Sequence, residues 1–176
     1  MLAAYVETPN FADPLAALIV GERLEPEIHA GWTHVTFEAA SLNRHDVWTL
    51  QGVTQHPTLP LPMVLGCDGA GRLDDGTEVM LYPVIPAPGW CGVETHGDGW
   101  SVFSELHPGT MAEYVTAPVG SGLRPWPHHP TPTATPTRLT AALARCSSSS
   151  SAEPPPPQAS ACVEMHRRLT RHAWLD

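Results

Sequence analysis

The stretch that decides the fold is PMVLGCDGAGRLDDGTEVMLYPV, Pro62–Val84. It places Gly66, Gly69, Gly71 and Cys67 inside a run that otherwise has the apolar composition of β-strands. Two interpretations are open. Such glycines indicate either a bulge or tight crossing between strands, or a place where the backbone must lie close to a ligand.

Outside this stretch, apolar patterning predicts further short strands. Trp32–Ala39 alternates with period two, so Val35 and Phe37 are expected to face a core. Many short strands separated by Gly and Pro predict a mainly β, barrel-like domain. The predicted strands are Leu2–Val6, Ala16–Val20 with a turn near Gly21, Trp32–Ala39, Met63–Leu65, Glu78–Val84 after the turn Asp74–Gly76, and Thr110–Pro118.

One short helix is predicted in SLNRHDVWTLQG, residues 41–52. Ser41 or Asn43 can cap its start, and Gly52 stands where a left-handed stop belongs. Val47 and Leu50 provide an apolar stripe. The neighbouring Trp48 either packs in the core or lines a pocket, and the core is the favoured interpretation.

The bulk composition excludes several classes of partner. The formal net charge of −9 gives no electrostatic support to a nucleic acid or an anionic membrane surface. No apolar run approaches the ~20 residues of a spanning helix, and the start lacks a signal-peptide pattern, so the cytoplasm is the expected compartment. The four cysteines are far apart in sequence and form no CxxC pair, which favours free thiols.

The composition changes near Val119. Residues 1–118 contain fifteen acidic residues and three arginines, whereas residues 119–176 contain three acidic residues and six arginines. The runs Ser147–Ser151 and Pro154–Pro157 favour a disordered tail over 119–176, with one short helix at Ala161–Trp174. The tail is either a natural linker or the out-of-frame product of a GC-rich gene. The absence of lysine from the chain favours the second account.

Four segments in order, AASLNRHDVWTLQG, LPLPMVLGCDGAG, DGTEVMLYPV and PGTMAEYVTAP, resemble the medium-chain dehydrogenases, which include the zinc-type alcohol dehydrogenases and quinone oxidoreductases. The resemblance covers most of residues 1–118. It implies the GroES-like catalytic domain of an oxidoreductase that uses NADP or NAD. The implied reaction is hydride transfer between the nicotinamide and a small carbonyl, enone, quinone or alcohol, and full-length relatives can be homo-oligomers.

The resemblance also implies a set of site residues. The glycine segment would run beneath the nicotinamide, and the amide of Asn43 would donate to the substrate oxygen or to the carboxamide of the cofactor. Asp68 would orient its neighbours or cap a turn, while Asp46 would hold the helix through a backbone bond. The implied catalytic residues are Asn43, Cys67 and Asp68, and the implied cofactor contacts are Asn43, Gly66, Gly69 and Gly71.

Two departures from the family pattern bear on cofactors. Zinc-dependent members have cysteine and histidine where this chain has Asn43 and Cys67, so zinc is not expected and the quinone oxidoreductase branch is favoured. A metal site built from Cys67 with His45, Asp46 or His56 is a further hypothesis. No glycine-rich βαβ unit is recognisable after Val119, so the chain alone is expected to be inactive. The alternative is a non-enzymatic GroES-like binding module with a linker tail.

Overall fold

The computed structural model describes residues 1–54, 57–119 and 123–125. The prediction of a mainly β fold with one short helix is confirmed. The strands are β1 Leu2–Val6, β2 Ile19–Glu22, β3 Trp32–Ala40, β4 Met63–Val64, β5 Gly69–Arg72, β6 Glu78–Leu81, β7 Val84–Ile85, β8 Ser101–Val102, β9 Tyr114–Pro118 and β10 Leu123–Pro125. The helix α1 is Arg44–Gln51, and 3₁₀ helices lie at Pro14–Ala17 and Glu94–His96.

The strands form antiparallel sheets over two main cores. A five-stranded sheet has the order β10-β6-β5-β3-β9, a three-stranded sheet has the order β2-β1-β4, and β7 pairs with β8. Helix α1 packs on the three-stranded sheet through Leu50, which contacts the cluster of Val6 and Leu65. Val35 and Phe103 belong to a second cluster under the five-stranded sheet. The helix and the glycine-containing strand β5 therefore belong to different halves of the structure, and the site described below lies where they meet.

The alternation predicted for the long strand is confirmed. Val35 is buried and Phe37 packs against the second core cluster, whereas Thr36 is exposed. The helix boundaries are also as predicted, because Asn43 is the N-cap and Gly52 ends the helix in the left-handed region at φ 75°. Trp48, in contrast, is 40% exposed, so it does not pack in the core.

The predicted strand Ala16–Val20 is wrong at both ends. Asp13 accepts the backbone N–H of Ala16 at 3.3 Å and starts a 3₁₀ helix in which Pro14 takes an early position. The strand begins only at Ile19 and continues through Gly21, where a turn was expected.

The order of strands around the glycine segment also differs from the prediction. The turn Asp74–Gly76 joins β5 to β6, so the glycines themselves form the partner strand. The run Glu78–Val84 is divided into β6 and β7. The last predicted strand starts only at Tyr114, because Thr110 and Met111 hydrogen-bond to the segment around Gly66 and Glu113 hydrogen-bonds to β1.

The chain beyond Pro118 is described only in part. Strand β10 lies past Pro118, where the sequence places the domain boundary, and it pairs with β6. The rest of the predicted tail, including the helix at Ala161–Trp174, lies outside the described residues.

Within the described ranges, no helix has the length and apolar composition needed to span a bilayer.

Candidate active site

A hydrogen-bonded network joins the start of helix α1 to the glycine segment. The Asn43 amide nitrogen Nδ2 donates to Asp68 Oδ1 at 3.1 Å and to Ser41 Oγ at 3.3 Å. The Ser41 hydroxyl donates to the same Asp68 oxygen. Because a carboxylate only accepts, the amide must present its N–H side to Asp68. Ser41 Oγ and Asp68 Oδ1 lie on the same side of Nδ2, so one N–H is shared between them, and the Asn43 side chain also hydrogen-bonds to Cys67. The donation of this amide to a substrate or cofactor, which the resemblance implies, stays a prediction.

Asp46 connects the backbone at Asn43 to the backbone at Gly66 and so fixes the geometry of this network. Its side chain is fully buried, and its two oxygens accept the backbone N–H groups of Asn43 at 2.7 Å and of Gly66 at 2.8 Å. Burial, with a smaller contribution from the charge of Asp68, raises the pKa of Asp46 to about 6 against the lowering effect of these two bonds. The expectation that Asp46 holds the helix through a backbone bond agrees with this geometry, and the bond to Gly66 adds a connection to the glycine segment.

Cys67 is half-buried, and the carboxylates of Asp46 and Asp68 both act on its thiol. Burial raises the pKa of its thiol to about 12, and the charges of Asp46 and Asp68 act in the same direction. A hydrogen bond from the Asn43 side chain opposes the shift. The structure therefore brings the predicted residues Asn43, Cys67 and Asp68 together, with the cysteine held as a neutral thiol at neutral pH.

The glycines of the segment are required by close packing inside the protein. A Cβ at Gly69 would lie 2.4 Å from the carbonyl oxygen of Ala39, and one at Gly71 would lie 2.2 Å from that of Thr36. Strand β3 shifts register opposite these residues. The tight crossing left open by the sequence accounts for both glycines, and their role as cofactor contacts stays a prediction.

Gly66 lies in a turn that is closed by a distant segment. Its φ of 94° favours glycine, and a Cβ there would lie 2.3 Å from Thr110 Oγ1. Thr110 donates its backbone N–H to the Gly66 carbonyl at 2.9 Å and its hydroxyl to the Asp68 carbonyl at 2.7 Å. The backbone on both sides of Cys67 is therefore held in place.

Sequence reasoning did not find two members of this site. Ser41 was considered only as a helix cap, and Thr110 only as part of a strand. Their contacts with Asp68 join residues 27 and 42 positions apart, and no local pattern signals such contacts. Ser41 does lie two residues before Asn43 in the quoted motif, which is the only hint that the sequence offers.

The residues present do not match a zinc site. Among the described residues, no group of three or more histidine, cysteine, aspartate or glutamate side chains is arranged to hold a metal ion. The Asn43 amide presents its N–H side to Asp68, and an amide N–H cannot bind a cation. His45 has a buried Nε2 with no partner in the described part of the chain, and His56 lies outside it.

Comparisons with known proteins agree with the geometry. The profile of the alcohol dehydrogenase GroES-like domain matches residues 29–128. A solved NAD-dependent alcohol dehydrogenase is 33% identical, with a TM-score of 0.64 over 72% of this chain and 40% of its own. No curated protein sequence matches the chain.

Two more distant structures share the fold. A cobalt- and zinc-bound thermostable alcohol dehydrogenase from Pyrobaculum aerophilum is 20% identical, with a TM-score of 0.58 over 73% of this chain and 42% of its own. The Haloferax mediterranei glucose dehydrogenase in complex with NADP, zinc and gluconolactone is 19% identical, with a TM-score of 0.55 over 72% and 39%. The chain thus spans about 40% of the length of the dehydrogenase to which it is 33% identical. The chain belongs to the alcohol dehydrogenase GroES-like domain family.

Proposed function

We propose that this chain is the catalytic domain of an NAD(P)-dependent oxidoreductase that transfers hydride between a nicotinamide and a small alcohol, carbonyl, enone or quinone. The observation that carries the proposal is the meeting of Asn43, Cys67 and Asp68 around the Gly66 turn in a member of this family. These three residues are the proposed catalytic group. The nicotinamide, when bound, supplies or accepts the hydride.

The chain's own contribution is positioning. Asp46 and Thr110 fix the backbone on either side of Cys67, so a flat ring could rest against a rigid surface there. The Cys67 thiol is held neutral, which suits a surface that must not react with the substrate. Asn43 and Ser41 hold the carboxylate of Asp68 in one orientation.

Zinc is not part of this proposal, because the described residues supply no suitable set of ligands. The proposal also includes inactivity of the chain alone. The relative that is 33% identical is more than twice as long as the matched segment, and the phosphates of a dinucleotide need a site of their own. Titration of the 176-residue chain with NADPH should accordingly show weak binding, and tight binding would overturn this part.

A chimaera tests the activity itself. Residues 1–118 would replace the corresponding segment of the NAD-dependent alcohol dehydrogenase that is 33% identical. The expected result is oxidation or reduction of the cofactor with alcohol, carbonyl, enone or quinone substrates, and loss of turnover on Asp68→Ala. A folded chimaera that binds NADH without any turnover would refute the oxidoreductase function and favour the non-enzymatic binding module.

A further inference from the structure

The network around Asp68 has an unequal distribution of donors and acceptors. Oδ1 of Asp68 receives both the Ser41 hydroxyl and the Asn43 amide. The N–H of Asn43 that reaches Asp68 is shared with Ser41 Oγ, and the Asn43 side chain also hydrogen-bonds to Cys67. The Ser41 hydroxyl and the Asn43 amide are thus both engaged by side chains of the site, while none of the hydrogen bonds given for the described residues reaches the second oxygen of Asp68.

The negative charges around Cys67 also favour a ligand group that donates a hydrogen bond. Asp46 is a second buried carboxylate close to Cys67, and the charges of Asp46 and Asp68 both act on that thiol. A thiol is only a weak donor. A ligand carbonyl oxygen at the second oxygen of Asp68 would therefore meet another acceptor, whereas a hydroxyl or an N–H there would complete the network.

We infer that the Ser41–Asn43–Asp68 network selects a ligand group that donates a hydrogen bond, with Asp68 as the acceptor and with Ser41 and Asn43 as positioning residues. The inference rests on the proposed function for the identity of the site. Two sources offer this chemistry: a hydroxyl on the substrate, and the carboxamide NH₂ of the nicotinamide. The hydroxyl would mean that the alcohol form of the substrate, and not the enone or quinone, makes the better contact.

Matched probes test this preference on the full chain. Cyclohexanol is compared with cyclohexanone, and nicotinamide with N,N-diethylnicotinamide, which has no N–H. Binding is followed by the NMR shifts of the Asn43 side-chain amide, at concentrations up to the order of 100 mM, where fragments of this size bind. We expect a donor to bind about tenfold or more tightly than its matched acceptor. Preference for cyclohexanol would assign the site to the substrate, and preference for nicotinamide to the cofactor.

The variant Asp68→Asn makes the sharpest test, because the network itself orients the new amide. Two donors still point at the Oδ1 position, so the carbonyl of the variant must stay there and its NH₂ must replace the second oxygen. The preference should then invert, with cyclohexanone binding more tightly than cyclohexanol. A merely structural role for Asp68 would weaken all probes alike.

Further variants keep the test decisive. Ser41→Ala removes one of the two donors and should reduce the preference without inverting it, while Asp13→Asn, a change at an exposed cap, should leave it unaltered. Circular dichroism verifies that each variant is folded. Equal binding of donor and acceptor probes, binding of none of them, or a preference for acceptors that depends on His45 would overturn the inference. If donor probes bind more tightly but the chimaera is inactive, the inference about the network stands and only the proposed oxidoreductase function is refuted.

Discussion

Replacing Asp46 with asparagine separates the two effects that act on this buried carboxylate. Asparagine has the same shape, but it can accept only one of the two backbone N–H groups, from Asn43 and Gly66, that Asp46 now binds. Leaving a buried N–H without a partner costs roughly 1–3 kcal/mol. Burying the charge has an opposing cost, which asparagine removes.

The size of that opposing cost follows from the pKa. Burial raises the pKa of Asp46 from 3.8 to about 6, so the ionised form costs the folded state roughly 3 kcal/mol relative to the protonated form. Because the folded-state pKa is raised, the stabilisation by this group is complete below pH 3.8 and is lost as the pH rises through 6. Between about pH 7 and pH 4.5, Asp46 should add roughly 2 kcal/mol to the free energy of unfolding.

The assay is urea unfolding of the wild-type chain and Asp46→Asn at several pH values, followed by tryptophan fluorescence. Other titrating groups cancel in the difference between the two proteins, which should change by roughly 2 kcal/mol over this range in favour of the wild type at low pH. Asp75→Asn is a control, because hydrogen bonds from Thr77 lower the pKa of Asp75. The difference in unfolding free energy between the wild type and this variant should therefore change with pH in the opposite direction. A flat difference for Asp46→Asn, or one of reversed sign, would refute the reasoning that burial outweighs the two hydrogen bonds.

Three more predictions address packing, thiol reactivity and acid stability. Gly69→Ala should destabilise the protein by about 1–3 kcal/mol in urea unfolding, since its Cβ would meet the backbone of β3, whereas Gly21→Ala, with its nearest neighbour 3.9 Å away, should cost about 0.5 kcal/mol or less. In peptide mapping after iodoacetamide treatment, Cys67 should react about tenfold or more slowly than the exposed Cys91, and equal rates would contradict the raised thiol pKa. Burial, with a smaller effect of a neighbouring histidine, lowers the pKa of His107, so acidification toward about pH 5 should destabilise the wild type more than His107→Gln in thermal unfolding. Parallel losses in the two proteins would show that His107 does not titrate in this way.

The sequence predicted those elements whose signals are local. The strand beginning at Trp32 and the helix ending at Gly52 follow from periodicity and capping, which depend on neighbours a few residues away. The strand Gly69–Arg72 was not predicted, because glycine disfavours strands and only the close approach of β3 explains its presence there.

The candidate site was predictable only in part for the same reason. Asn43, Cys67 and Asp68 came from a resemblance between whole segments, and the structure brings them together. The donor directions within the network were not predictable, since they depend on Ser41 and Asp68 meeting across the fold. The same tertiary contact decides whether the amide of Asn43 is free to donate.

The closure of the Gly66 turn by Thr110 has a consequence for how the protein is made. The hydroxyl of Thr110 reaches back across 42 residues to Asp68, and the backbone of Met111 binds that of Leu65. Such long-range contacts form slowly, because the intervening chain must lose its entropy first. During synthesis, helix α1 can emerge from the ribosome and begin to form early, but its partner surface must wait until the segment at Met111 has left the exit tunnel.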